Sequence, residues 1–341
     1  MNEVFVGIDA LYPLKFTPIY QERIWGGTQL REVLRRKLPE TASPIGESWE
    51  LVDRDDVVSR VANGPLAGRT IGELIHHYGR HLLGRKAKNC DRFPLLVKLI
   101  DAGERLSLQV HPDEAACARI GGTAEPKTEM WYVISALPGA NILAGLSDRA
   151  TRNRLVDLIS SPEVETLLQN YQSQPGDAYY IPAGTLHAIG AGNLILEIQQ
   201  NSDTTYRISD WGRVDASGKS RELHVDKGML SINFMNRTSP RIAGTVGEAG
   251  HNRKFDVVNL CPFFKVDDLR LTGQWIDDTL SGGSFHLISA VNAPVSVGKE
   301  GTPARRTELA AGETALVPAG FGSYTIEPML PGESTVIRTT L

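Results

Sequence analysis

The chain has 341 residues, enough for two domains or one large domain with an appendage. Its composition is that of an ordinary globular protein, and a net charge of −4 gives no sign of nucleic-acid or membrane-surface binding, so any anion recognition falls to local basic residues. No apolar run approaches the roughly 20 residues of a membrane-spanning helix. The opening stretch MNEVFVGIDALYPLKF lacks a secretory pattern. Cys90, Cys117 and Cys261 form no CxxC pair and read as buried or free thiols. The expected location is the cytoplasm, with no nucleic-acid or membrane partner.

In chain order, residues 14–70 mix short apolar runs with Gly and Pro, which predicts short strands and turns, with a strand in GESWELV. IGELIHHYGRHLL (71–83) has helical spacing. FPLLVKLIDAG (93–103) reads as a buried strand, and LSLQVHP follows as another. EMWYVISALPGANILAGL predicts strand, turn, strand. Residues 147–172 change period. Ser147 and Asp148 are candidate caps, Leu155, Val156, Leu158 and Ile159 share a helical face, and Pro162 separates this helix from a second one. Strands and tight turns then return.

PGDAYYIPAGTLHAI (175–189) and AGETALVPAGFGSYTI (311–326) share a Gly-acid start and a Pro-Ala-Gly turn, a sign of two copies of one β-rich unit. His187 in the first copy aligns with Ser323 in the second. The turn is therefore made without the imidazole, which frees His187 for another role.

In LSLQVHPDE, Ser107, Gln109 and His111 lie two apart, on one face of a strand, while Leu106, Leu108 and Val110 line the other. Such a polar row looks either to solvent or into a site.

PLLVKLIDAGERLSLQVHPDE, EPKTEMWYVI, PGDAYYIPAGTLHAI and LEIQQNSDTTYRISDWGR together resemble the type I mannose-6-phosphate isomerases of the cupin superfamily, over about Leu14 to His224. The resemblance implies a mainly β fold with helical insertions: two jelly-roll (cupin) barrels, the second degenerate. The catalytic domain would span 1–250, with a helical insertion at about 147–172 beside the site entrance. The degenerate barrel would span 251–341. The short insertion implies the compact bacterial branch. The resemblance also implies a metal-dependent enzyme, normally with one Zn2+ per chain, interconverting mannose 6-phosphate and fructose 6-phosphate through a cis-enediol.

The family motifs place the metal ligands at Gln109, His111, Glu129 and His187. Two neutral imidazoles, an amide and one carboxylate are a donor set that zinc accepts. Lys127, Glu197 and Arg207 are the implied catalytic residues. Ser107, Asp203, Arg213 and Lys98 are the implied substrate contacts, with Glu47 a further candidate. A phosphate dianion calls for Arg or Lys with hydroxyl donors. His76, His77, His81, His224, His251 and His286 lack such context and read as structural or surface. Two alternatives stay open at this point. His111, Glu129 and His187 are also a two-His-one-carboxylate set suited to Fe(II) oxygen chemistry, and a non-catalytic sugar-phosphate-binding cupin would carry the same fold. The partner is a small phosphosugar, and the oligomeric state is not readable.

Overall fold

The dense apolar runs become strands, and the sheets they build are antiparallel in each pairing described below. The computed structural model describes residues 5–89, 91–214, 218–242, 245–247 and 252–341. Cys90, His251 and the expected domain line at 250 lie outside the described residues. The chain is mainly β. By its internal contacts it divides into two compact units, Met1–Ile19 with Trp49–Val97 and Ala243–Leu341, and Tyr20–Ser48 with Lys98–Ile242. Both units are discontinuous in sequence, unlike a division at a single point. No helix among the described residues is long and apolar enough to cross a membrane. Cys117 and Cys261 are free thiols.

In the second unit, one sheet runs in the order Tyr206–Ser209, Leu108–Val110, His187–Ile189, Asn141–Leu146, Leu168–Gln172. Another places Glu129–Ala136 beside Asn193–Gln200, with Glu129 opposite Gln199 and Trp131 opposite Glu197. Strand and strand around the Pro-Gly turn at 138–139 form as expected, but they enter different sheets.

In residues 147–172 a second helical element follows the first after Pro162, as expected, but it is 3-10 and the segment ends as a strand. The helix is Arg152–Leu158, and Thr151 caps it by accepting from the Arg154 N–H. Thr151 is the last residue with extended backbone, so its hydroxyl, rather than that of Ser147, faces the free N–H groups. Pro162 opens a 3-10 turn, Pro162–Leu167, and the remainder is the strand Leu168–Gln172. Val156 is exposed, whereas Leu155, Val164 and Leu167 are buried in one cluster with Leu108, Val110, Leu143 and Leu186. The insertion thus backs the sheet on the face opposite Gln109 and does not flank the polar row.

In the first unit, the predicted helix over 71–83 forms as Ile71–Tyr78 and Arg80–Leu83, broken at Gly79, whose φ of 50° lies in the left-handed region. Thr70 and Glu73 close a capping box at its start. The second repeat copy folds as Thr314–Val317, turn, Ser323–Pro328. Ser323 begins its strand exposed, as His187 begins its own strand buried. Arg338, on Ser334–Thr340, is ion-paired to Asp267 and Asp277. His286 sits in the same network, its Nδ1 2.8 Å from the Tyr324 hydroxyl.

Burial pulls His286 down to about 4 from its ordinary 6.5, although Asp277 pulls the other way; Arg338, Asp278 and Lys86 also act on it. The unfolded chain therefore takes up this proton at a higher pH than the folded one. The associated stability is present in full above about pH 6.5 and is lost as pH falls toward 4. Urea unfolding of the wild type between pH 7 and 4 should show a steeper decline than in His286→Gln. Parallel curves would show that the imidazole does not titrate in this way.

Candidate active site

Gln109 holds a central row position. Its strand pairs it with His187 on one side and Arg207 on the other. Ser107 lies just before that strand and donates to Gln109 Oε1 at 3.1 Å, and His111 lies just after it. Glu129 opens its strand and meets both imidazoles: its carboxylate oxygens lie 3.3 Å from His111 Nε2 and 3.4 Å from His187 Nε2. Three fully buried side chains with ligand atoms within 4.8 Å of one another, His111, Glu129 and His187, could hold a metal ion.

Their outer contacts suit that use. His111 Nδ1 is 2.8 Å from the Thr204 carbonyl, and His187 Nδ1 is 2.8 Å from the Thr185 carbonyl. A carbonyl only accepts, so each Nδ1 carries the proton and each Nε2 lone pair faces the cluster. His111 Nε2 and Glu129 Oε1 are buried without a hydrogen bond among the described residues, and Glu129 Oε2 meets the Lys127 ammonium. Buried polar atoms are seldom left without a bond, and a divalent cation satisfies the first two. Burial, with the Lys127 charge added, lowers His111, and burial takes His187 down to about 3 against the opposing pull of Glu129. Both rings are therefore neutral, as ligation requires. Gln109 Nε2 lies 3.2 Å from His187 Nε2. As a fourth ligand it would present Oε1 there instead. Such a half-turn of the amide is compatible with Ser107, whose hydroxyl both donates and accepts.

Lys127 Nζ lies 3.0 Å from Glu129. Burial pulls Lys127 down, but Glu129 and Glu197 outweigh it and hold its pKa above the usual lysine range. Burial would raise Glu129, but the Lys127 charge leads the opposing pull and holds the carboxylate ionised. Glu197 goes the other way. Burial and the Glu129 charge raise it, only partly offset by Lys127 and Lys98. Its Oε1 is 3.6 Å from Lys98 Nζ, and its Oε2 accepts from Trp131 Nε1 at 3.0 Å.

Lys127 and Glu197 open onto a cavity of about 440 Å³ lined also by Ser107, Gln109, Asp203 and Arg207, with Lys98 and Glu47 on its wall, whereas His111, Glu129 and His187 lie outside that lining. Arg213 is absent from that lining. Its guanidinium is spent on the Arg105 carbonyl at 2.6 Å and on Asp210 at 2.6 Å. Arg23, hydrogen-bonded to both oxygens of Glu47, and Arg221 line the cavity and were not singled out from sequence. A further cavity of about 500 Å³, along Gly27–Glu32 and Leu38–Ile45, has only exposed charged residues in its wall, Arg31, Glu32 and Glu40. It holds no comparable cluster.

A metal that binds the folded cluster and not the unfolded chain stabilises by mass action, by about 4 kcal/mol at a thousandfold excess over Kd. Chelator treatment should therefore lower the melting temperature, readdition of a divalent ion should restore it, and His187→Ala should lose that response. A wild type that melts identically in chelator and metal, and purifies without metal, would exclude an ion at this cluster.

The family model described as phosphomannose isomerase type I, catalytic domain, matches residues 13–132. Mannose-6-phosphate isomerase ManA of Bacillus subtilis is 38% identical over 329 residues, covering 92% of this chain and 96% of that protein. The mannose-6-phosphate isomerase of Streptococcus mutans is 36% identical over 262 residues, 77% of this chain and 80% of that one. The crystal structure of the mannose 6-phosphate isomerase from Bacillus subtilis superposes with a TM-score of 0.85 at 32% identity, covering 97% of this chain and 100% of that one.

Proposed function

The chain belongs to the type I phosphomannose isomerase family of enzymes, and from that membership we propose that it interconverts mannose 6-phosphate and fructose 6-phosphate with one zinc ion held by Gln109, His111, Glu129 and His187. The observation that carries the reading is the buried cluster of His111, Glu129 and His187, with ligand atoms within 4.8 Å of one another, beside a lysine, a raised carboxyl and an arginine that line one cavity. Two imidazoles with oxygen donors suit zinc. When bound, the ion supplies Lewis-acid polarisation of sugar oxygens.

The remaining work falls to the protein's own side chains. An aldose becomes a ketose when the proton on C2 is removed and returned to C1 while a proton passes between O1 and O2, through a cis-enediol. Glu197 is the group for carbon-proton transfer. Its raised pKa brings it toward the operating pH, where a shuttling acid-base works best, and Trp131 fixes its orientation. Lys127, cationic beside Glu129, donates to sugar oxygens as charge builds on them during ring opening and enediol formation. Arg207 and Ser107 hold the phosphate, while Lys98 and Asp203 contact sugar hydroxyls. Arg213 takes an indirect part through Asp210. The His111, Glu129 and His187 set would also suit iron-dependent oxygen chemistry, but a cavity with Lys98, Lys127 and Arg207 on its wall fits an anionic sugar better.

On the same reading the two repeat copies descend from two jelly-roll barrels, a catalytic one within 1–250 and a degenerate one within 251–341. Support comes from both copies folding as strand, Pro-Ala-Gly turn, strand. The enzyme would work in the cytoplasm.

A coupled assay on the metal-loaded protein should detect fructose 6-phosphate from mannose 6-phosphate. Glu197→Gln should keep wild-type metal content and lose about 10²- to 10⁴-fold in kcat. Wild-type turnover in that variant would remove Glu197 from proton transfer. An inert, metal-loaded wild type that binds the sugar phosphate would leave only a binding protein.

A further inference from the structure

Three guanidiniums, those of Arg207, Arg213 and Arg221, gather at one end of the polar row, and one buried carboxylate, Asp210, serves two of them. Asp210 accepts from Arg221 Nε at 2.8 Å and from Arg213 at 2.6 Å. Arg207 makes no ion pair among the described residues. One of its terminal nitrogens donates to the Glu222 carbonyl at 2.7 Å, while its Nε is buried without a partner. Burial and the Arg221 charge both weigh against the Arg207 cation. Two of these guanidiniums, Arg207 and Arg221, are on the cavity wall, and the carboxylate of Asp210 is shared between Arg221 and Arg213, an arrangement that favours an anion in front.

The backbone enforces this meeting. The His224 N–H donates to the Arg207 carbonyl at 2.7 Å, and the Arg207 N–H reaches His224 Nδ1 at 3.2 Å. The segment that carries Arg221 is thereby laid alongside the strand that carries Arg207. Trp211, next to Asp210, adopts a φ of 60°, unusual for a large side chain, and its indole donates to the Leu106 carbonyl at 2.7 Å. That turn directs Asp210 to both of its arginines. Arg213 is used up on the Arg105 carbonyl and Asp210, whereas Arg221 is on the cavity wall with Arg207.

We infer that Arg221, steered by Asp210, joins Arg207 as a second phosphate-binding guanidinium and sets the preference for phosphorylated over neutral sugars. Asp210 is a positioning residue, and Arg213 anchors it from outside the cavity. The inference rests on the sugar-phosphate reading of the same site. Its ligand class is a phosphate monoester dianion, for which a pair of guanidiniums offers several parallel N–H donors.

The test uses the metal-loaded full chain and two probes, mannose 6-phosphate and inorganic phosphate. Arg221→Met should raise KM for mannose 6-phosphate by about tenfold or more, more than it changes kcat, as expected for loss of a charge-assisted contact. The inhibition constant of inorganic phosphate should rise by a similar factor. The ratio of kcat/KM for mannose 6-phosphate over mannose should fall. Arg221→Lys should recover part of each, and Asp210→Asn should weaken phosphate inhibition with Arg221 still present. An Arg221→Met protein with wild-type KM and wild-type phosphate inhibition would overturn the inference. Should the wild type not turn over, calorimetric binding of inorganic phosphate decides separately: dependence on Arg221 upholds the anion site while the isomerase reading falls, and independence refutes the anion site.

Discussion

A carboxylate with no access to water governs the site. Glu129 is fully buried, and moving a lone carboxylate that far from solvent costs several kcal/mol unless opposite charge and hydrogen bonds replace the water. Lys127 supplies one positive charge at 3.0 Å. The two imidazoles are held neutral by their own burial, while carbonyls on their far nitrogens fix the tautomer, so they cannot supply a second. A divalent ion is what the remaining lone pairs can accept. The same charge on Glu129 acts on Glu197 and helps push that carboxyl up. One buried anion thus favours a cation on Lys127 and a reluctant acid at 197, while the rings stay neutral against its pull because of their own burial.

Much of this was legible in the sequence because strands write their faces at every second residue. Ser107, Gln109 and His111 could be read as one polar row, and the alignment of His187 with Ser323 separated turn-making from chemistry. Arg221 was missed because it reaches the site through a fold-back. Its position depends on Glu222 and His224 lying against Arg207, a pairing without a periodic signature. Arg213, eight residues nearer in sequence to the motif's other members, looked the better candidate, yet its donors are engaged elsewhere. Trp131 reads as core by composition. Only the pairing of its strand with that of Glu197 brings its indole N–H to the carboxylate.

The elements followed the same division. Leu95–Ala102 and Ile71–Tyr78 were readable because burial and helical spacing are local. The end of the insertion was not. Leu168–Gln172 becomes a strand because an edge beside Asn141–Leu146 accepts it, with Asn141 opposite Gln172, and a tertiary partner of this kind overrides local preference. Nor could the sequence say that the strands flanking the Pro-Gly turn would part into different sheets, because a turn fixes a change of direction and not the sheet that receives it.

The insertion's attachment behind the sheet separates two kinds of variation. Arg152–Leu158 and Pro162–Leu167 contribute greasy anchors such as Leu155, Val164 and Leu167 to a face that no reacting group touches. Over evolutionary time that segment is free to lengthen, shorten or be replaced, provided that something oily remains on the back of the sheet. Lineages could elaborate the molecule's exterior there, while the residues that handle sugar on the front stay under separate selection.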